Sequence, residues 1–156
     1  MNLTILALGK NKNEFITIAE SEYLKRLNAF CNIKISIVPT SSSFKNQSVE
    51  KIKDIEGKSL LDRIPEQAHL IALDEHGKEF TSNGFASYLS RSLTTFNKPF
   101  YFIIGGPYGL SKEVLDRADE KIALSKMTFT HQMARIILLE QIYRAFTIMK
   151  GKKYHY

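Results

Sequence analysis

Two short stretches hold the residue types best suited to chemistry. Gly105-Gly106-Pro107-Tyr108-Gly109 follows the apolar run Phe100–Ile104, and Ser125-Lys126-Met127-Thr128-Phe129-Thr130 follows Lys121–Leu124. Without side chains, Gly105 and Gly106 let a small molecule approach the main chain closely. Gly109 adopts a positive φ at little cost, and Pro107 pushes Gly106 toward an extended conformation. A plain strand-to-helix turn would use the same glycines. The second stretch places Met127 and Phe129 in a loop. Such residues either pack beneath the domain or cover the flat face of a ligand whose edge the loop backbone binds. The pair of loops therefore predicts a small-cofactor site.

Other chemistries lack their residues. The first strand exit, Gly9-Lys10-Asn11-Lys12-Asn13, carries neither G-x-G-x-x-G nor a P-loop. No spacing suits a metal, and no serine–histidine–acid order stands out. The final residues, Lys150-Gly151-Lys152-Lys153-Tyr154-His155-Tyr156, mix cations with aromatics. With 22 Lys and Arg against 16 Asp and Glu, the formal charge is +6. That balance favours a polyanionic partner, although many soluble proteins are mildly basic. Arg135 falls near the start of the last helix, where it serves either a ligand or a surface ion pair. Glu140 and Arg144 are spaced for an ordinary helical pair.

These loops need a scaffold, and the apolar pattern supplies one. Leu3–Leu8 reads as a buried strand closed by Gly9. Glu14–Phe30 reads as a helix capped by Asn13, with Phe15, Ile18, Ala19, Tyr23, Leu24 and Leu27 as its inner stripe. Ile33–Val38 alternates as a strand and stops at Pro39. After a polar loop, a helix runs from Gln47 or Ser48 to Arg63. Its expected inner residues are Val49, Ile52, Ile55, Leu60, Leu61 and Ile64. Gly57 is a weak point there, costing about 1 kcal/mol relative to alanine.

His69–Leu73 is the third strand. Thr81 or Ser82 caps a helix to about Phe96, Phe100–Ile104 is the fourth strand, and Ser111 caps a short helix over Lys112–Ala118. The fifth strand and a long helix to Met149 complete the chain. Alternating strands and helices imply an α/β domain with a mostly parallel sheet of about five strands, covered on both faces. Ligands of such sheets sit beyond the carboxyl ends of the strands.

A chain of 156 residues suffices for one domain with a real core. Cys31 alone excludes an intrachain disulfide. No run approaches the roughly 18–20 apolar residues of a membrane span, and no signal peptide is apparent. A cytoplasmic protein is expected. The last helix is apolar on more than one side, so it is either central or meets a second copy of itself. Dimerisation is the favoured expectation, because a terminal helix is seldom central.

The IIGG-P-YG loop, the LSKMTF-TH-Q-AR segment, the LLEQIYRA helix, the closing YH-Y and the LD-x-x-GK turn after the third strand are familiar in combination. Along its whole length the chain resembles the SPOUT-class methyltransferases. The most similar type methylates N3 of a pseudouridine in large-subunit (23S) ribosomal RNA. The resemblance implies one domain over 1–156, with a five- to six-stranded sheet and a carboxyl-terminal trefoil knot. Pattern rules alone argue against a knot. It also implies S-adenosylmethionine as methyl donor and an obligate homodimer, while the residues themselves give no reason to expect a metal or a membrane. Carried over by position, the cofactor contacts are Leu73, Gly105, Leu124, Ser125, Lys126, Met127, Thr128 and Phe129. Asp74-Glu75-His76 matches the family only loosely and receives no role.

On that reading the tail carries catalysis. His155 is the candidate proton acceptor, because its ordinary pKa lies near neutrality. Tyr154, the second catalytic candidate, and Tyr156 are expected to stack on the base. Lys152, Lys153 and Arg135 hold phosphates of the RNA, expected within the ribosome. The bland alternative for the tail is a frayed terminus. A non-enzymatic RNA-binding protein, or a nucleotide-binding domain of the flavodoxin type, is the competing reading of the whole chain. Indifference to S-adenosylmethionine would mark either one.

Overall fold

The computed structural model describes residues 2–9, 13–40, 44 and 46–152. The elements in chain order are β1 (Asn2–Leu8), α1 (Glu14–Leu27), β2 (Asn32–Val38), α2 (Val49–Leu61) and β3 (His69–Glu79). They continue with α3 (Ser82–Thr95), β4 (Phe100–Ile104), α4 (Lys112–Arg117), β5 (Glu120–Ala123) and α5 (His131–Met149). All neighbouring strands are parallel, in the order β2-β1-β4-β3-β5. The expected α/β sandwich is the fold found.

Strand periodicity divides the core in two. Leu3, Ile5, Ala7, Ile71, Phe100, Phe102 and Ile104 join the cluster beneath α1, α3 and α5. The alternate residues Leu6, Leu8, Leu70, Ala72 and Ile103 join Leu60 and Val114 on the side of α2 and α4. β1, β4 and the first residues of β3 therefore read as nearly continuous apolar runs, because both of their faces are covered, whereas the outer strands β2 and β5 carry polar residues.

Helix starts follow the sequence. Asn13, Ser48, Thr81, Ser111 and Thr130 each accept a bond from a backbone N–H of the following first turn, satisfying a donor that the helix itself cannot.

The buried stripes of two helices differ from expectation. Phe15 and Ile18 are each 62% exposed, and α1 instead turns Ile16, Glu20 and Leu27 inward. In α2, Val49 and Ile55 face solvent while Ile52, Glu56 and Leu60 are buried. Each inner stripe contains a glutamate at its middle, which apolar periodicity cannot register. Strand β3 also runs on to Glu79, past an irregularity between Leu73 and Lys78 in its pairing with β5. The excursion allows the pairing to resume. Gly77 comes so close to β5 that an added Cβ would lie 2.6 Å from Ile122 backbone.

Helix α5 lies against both α1 and α3 as well as β1 and β4. Its wide apolar surface is thus used largely within the chain. Among the described residues, no helix is long and apolar enough to cross a membrane.

Candidate active site

In the strand order β4-β3-β5, the exits of β4 and β5 and the break in β3 after Leu73 open toward one space. That space is a cavity of about 840 Å³, within the size of ordinary small-molecule sites. Its wall includes Leu73 from β3, Gly105 from the β4 exit, and Leu124, Ser125, Met127, Thr128 and Phe129 from the β5 exit. The sequence nominated these residues from three separate segments, and the fold brings them together. Lys126, nominated with them, is not part of the wall.

Local bonds shape each segment. The turn after β4 is closed by the Gly109 N–H donating to Gly106 O at 3.0 Å, with Gly109 at φ 79°. A Cβ on Gly105 would stand 2.8 Å from the Gly109 carbonyl carbon, so the turn itself demands a bare residue there. After β5, Ser125 Oγ accepts the Met127 N–H at 2.9 Å. This fixes the loop while leaving Met127 71% exposed. Phe129 and Tyr108 are also exposed. Three large side chains thus ring the cavity with open apolar surface.

The wall also holds residues the sequence did not nominate, among them Glu75, Tyr108, His131 and Gln132. The signal for the last two was the Thr130 cap. A helix starting at His131 puts its first turn against the loop that precedes it. Burial holds the His131 imidazole below its ordinary proton affinity, and the Arg135 cation one turn later adds to this. The His131 ring stands close to Gly9, whose φ is 117°; a Cβ there would lie 3.1 Å from Nε2.

Backbone groups from three loops, a glycine turn and apolar side chains at the rim suit a flat ligand with a polar edge. The residues present therefore fit an adenosyl group. Among the described residues, no group of three or more His, Cys, Asp or Glu is placed to hold a metal ion.

Residues 1–155 match the family model described as "Predicted SPOUT methyltransferase". The chain belongs to that family. It is 44% identical over 158 residues to a Clostridium perfringens protein named ribosomal RNA large subunit methyltransferase H 1, covering 99% of both chains. It is 41% identical over 156 residues to a Bacteroides thetaiotaomicron protein named ribosomal RNA large subunit methyltransferase H, covering 100% of this chain and 99% of the relative. A solved Haemophilus influenzae structure, described as a probable methylase family protein, shares the fold at TM-score 0.56 and 12% identity. It is matched over 99% of this chain and 70% of that one.

One nominated RNA contact of this SPOUT methyltransferase must be corrected. Arg135 is fully buried, and its Nε donates to Glu20 Oε1 at 2.6 Å. A guanidinium enclosed between α1 and α5 cannot present itself to a phosphate on the surface. Lys152 is exposed, with its Nζ over the Phe30 ring at 5.0 Å, and can still reach a polyanion. Lys153, Tyr154, His155 and Tyr156 lie outside the described residues. Glu140 and Arg144 form the expected pair at 2.6 Å.

Proposed function

We propose that this SPOUT methyltransferase transfers a methyl group from S-adenosylmethionine to N3 of a pseudouridine in 23S ribosomal RNA. It acts as a homodimer on the assembled ribosome, in the cytoplasm. The supporting observation is the convergence of Leu73, Gly105 and the 124–129 loop on one cavity. The cavity occurs in a chain whose relatives are named as ribosomal RNA methyltransferases. The trefoil knot implied by the resemblance is part of the same reading.

The bound donor supplies an electrophilic methyl group. The chain's task is to hold that group in line with the target nitrogen, and such alignment is a major source of rate. Leu73, Gly105, Leu124, Ser125 and Thr128 fix the donor's edges, while Met127 and Phe129 cover its flat face. Lys126, beside the wall, adds positive charge near the cleft. The target nitrogen must lose its proton before it attacks. His155 accepts that proton, with Tyr154 and Tyr156 stacking on the base, and Lys152 and Lys153 hold phosphates. Exposed Phe15 and Ile18 on α1, and Met133 on α5, support a second copy as the partner that completes the cleft.

Ribosomes from a strain lacking the gene, incubated with the protein and methyl-labelled S-adenosylmethionine, should gain one N3-methylpseudouridine by mass analysis of 23S RNA. Label at another nucleotide, or none, would overturn the substrate assignment. Removing Tyr154–Tyr156 should abolish transfer but leave donor binding measurable by calorimetry. Transfer at full rate would remove the tail from the mechanism.

A further inference from the structure

Glu56 sits in the middle of the buried stripe of α2 and is only 5% exposed. Its Oε2 is buried and, among the described residues, accepts no hydrogen bond. Buried carboxylates without partners are rare, and each calls for an explanation. The position of this one is specific. A Cβ on Gly106 would stand 3.2 Å from Glu56 Oε2, and Gly106 lines the cavity. The carboxyl group therefore lies directly behind the wall, with one glycine backbone between it and the ligand space.

We propose that Glu56 is a charge-selectivity residue, whose carboxylate favours a positively charged occupant of the cavity over a neutral one of the same shape. This rests on the methyl-donor reading above. There, a sulfonium donor carries one more positive charge than the thioether left after transfer. A negative charge behind the wall holds the donor and lets the spent product go.

The physical argument turns on the surroundings of Glu56. The helix packed across from it, α4, carries Arg117, which donates to the Glu66 and Ala68 carbonyls, and brings Lys112, Glu113 and Asp116, with Lys112 bound to Asp116. These three share the outer cleft with Lys51, Asp54 and Lys58 of α2. β1, the strand beneath α2, has no titratable side chain. The cavity side holds Asp74, Glu75, Tyr108 and His131. Among the described residues none of these groups pairs with Glu56, and burial alone raises its proton affinity. A cation arriving across Gly106 offsets that burial, because charges interact strongly where water is scarce. Binding a cation then releases the Glu56 proton to the buffer whenever the free protein holds it, so donor affinity increases with pH across that titration.

The test is calorimetry of the full chain with S-adenosylmethionine and with S-adenosylhomocysteine, across pH and in buffers of different ionisation heat. For the wild type, the ratio of donor to product affinity should rise with pH, and donor binding should release more protons than product binding. Glu56→Gln keeps the size of the side chain and removes its charge. It should weaken donor binding about tenfold, change product binding less than twofold, and abolish the extra proton release. Glu56→Asp should retain part of the discrimination. If donor and product weaken together in Glu56→Gln, or if the wild-type ratio varies with pH and Glu56→Gln keeps the same variation, Glu56 is structural and the proposal fails. If neither ligand binds the wild type, the methyl-donor reading fails, and this proposal with it.

Discussion

Arg135 and Glu20, 115 residues apart, form an ion pair at 2.6 Å that ties the first turns of α5 to α1. Their side chains are 0% and 6% exposed. Ala134, the neighbour of Arg135 in sequence, lines the cavity, so the pair holds α1 to the helix that supplies this part of the wall. Breaking a buried ion pair by removing one member typically costs about 3–5 kcal/mol. Glu20→Ala is expected to lower unfolding stability by that order in urea titration. Arg144→Ala, which breaks the more exposed Glu140 pair, should cost about 1 kcal/mol or less. A Glu20→Ala protein as stable as wild type would refute the role assigned to the pair.

Gly57 gives opposite expectations at two levels of description. Helix propensity alone predicts that Gly57→Ala gains about 1 kcal/mol. In the fold, an added Cβ would stand 2.1 Å from Ser111 Oγ and 2.9 Å from its Cβ. The glycine is therefore the point where α2 and α4 meet closely. Gly57→Ala should lose about 1–3 kcal/mol by overpacking. Adding Ser111→Gly, which weakens the α4 cap by only a few tenths of a kcal/mol, should recover much of that loss. A double-mutant cycle with no coupling would show that the helices do not meet there.

The legible and illegible parts of this chain separate along physical lines. Strands whose faces are both buried are continuous apolar runs, so β4 was found to the residue and β1 within one. Caps are single-residue signals, and Asn13, Ser48, Thr81 and Ser111 occupy them as expected, while Thr130, read as part of the preceding loop, caps α5 as well. The glycine turn and the Met127–Phe129 loop were visible because each breaks the rule for a connector. Glu20 and Glu56 were invisible because a buried charge looks in sequence like a solvated one. Arg135 was misread for the same reason. The β3 excursion was missed because Asp74-Glu75-His76-Gly77 has the composition of a loop, although the strand resumes beyond it.

Met127 and Phe129 contribute little to the folded chain alone, since they are 71% and 37% exposed. Met127→Ala should leave unliganded stability within about 0.5 kcal/mol. It should nevertheless weaken S-adenosylmethionine several-fold, because the apolar area it would cover on the ligand is lost. Phe129→Ala should weaken binding further, ring for methyl group. Thermal melts with and without ligand separate the two quantities. If either variant lowers stability by more than about 2 kcal/mol without ligand, the side chain belongs to the core and not to the site.

His131 gives the acid limb of stability a definite direction. Burial first, and then the Arg135 cation, hold its folded-state proton affinity below the ordinary value of 6.5. The unfolded chain takes up the proton near that ordinary value, and the folded chain only at lower pH. Between the two, the unfolded state binds more protons, so acidification favours unfolding. The contribution is complete above 6.5 and is lost as pH falls toward the folded-state value. Urea midpoints should therefore drop more steeply between neutral and mildly acidic pH in the wild type than in His131→Gln. A nuclear magnetic resonance titration should place the His131 transition below that of a peptide histidine. Arg135→Leu, if folded, should move it back upward, because one of the two causes is gone. A His131 that titrates at the peptide value in the folded protein would mean that water reaches the ring freely. The first turn of α5 would then not form the inner wall of the cavity.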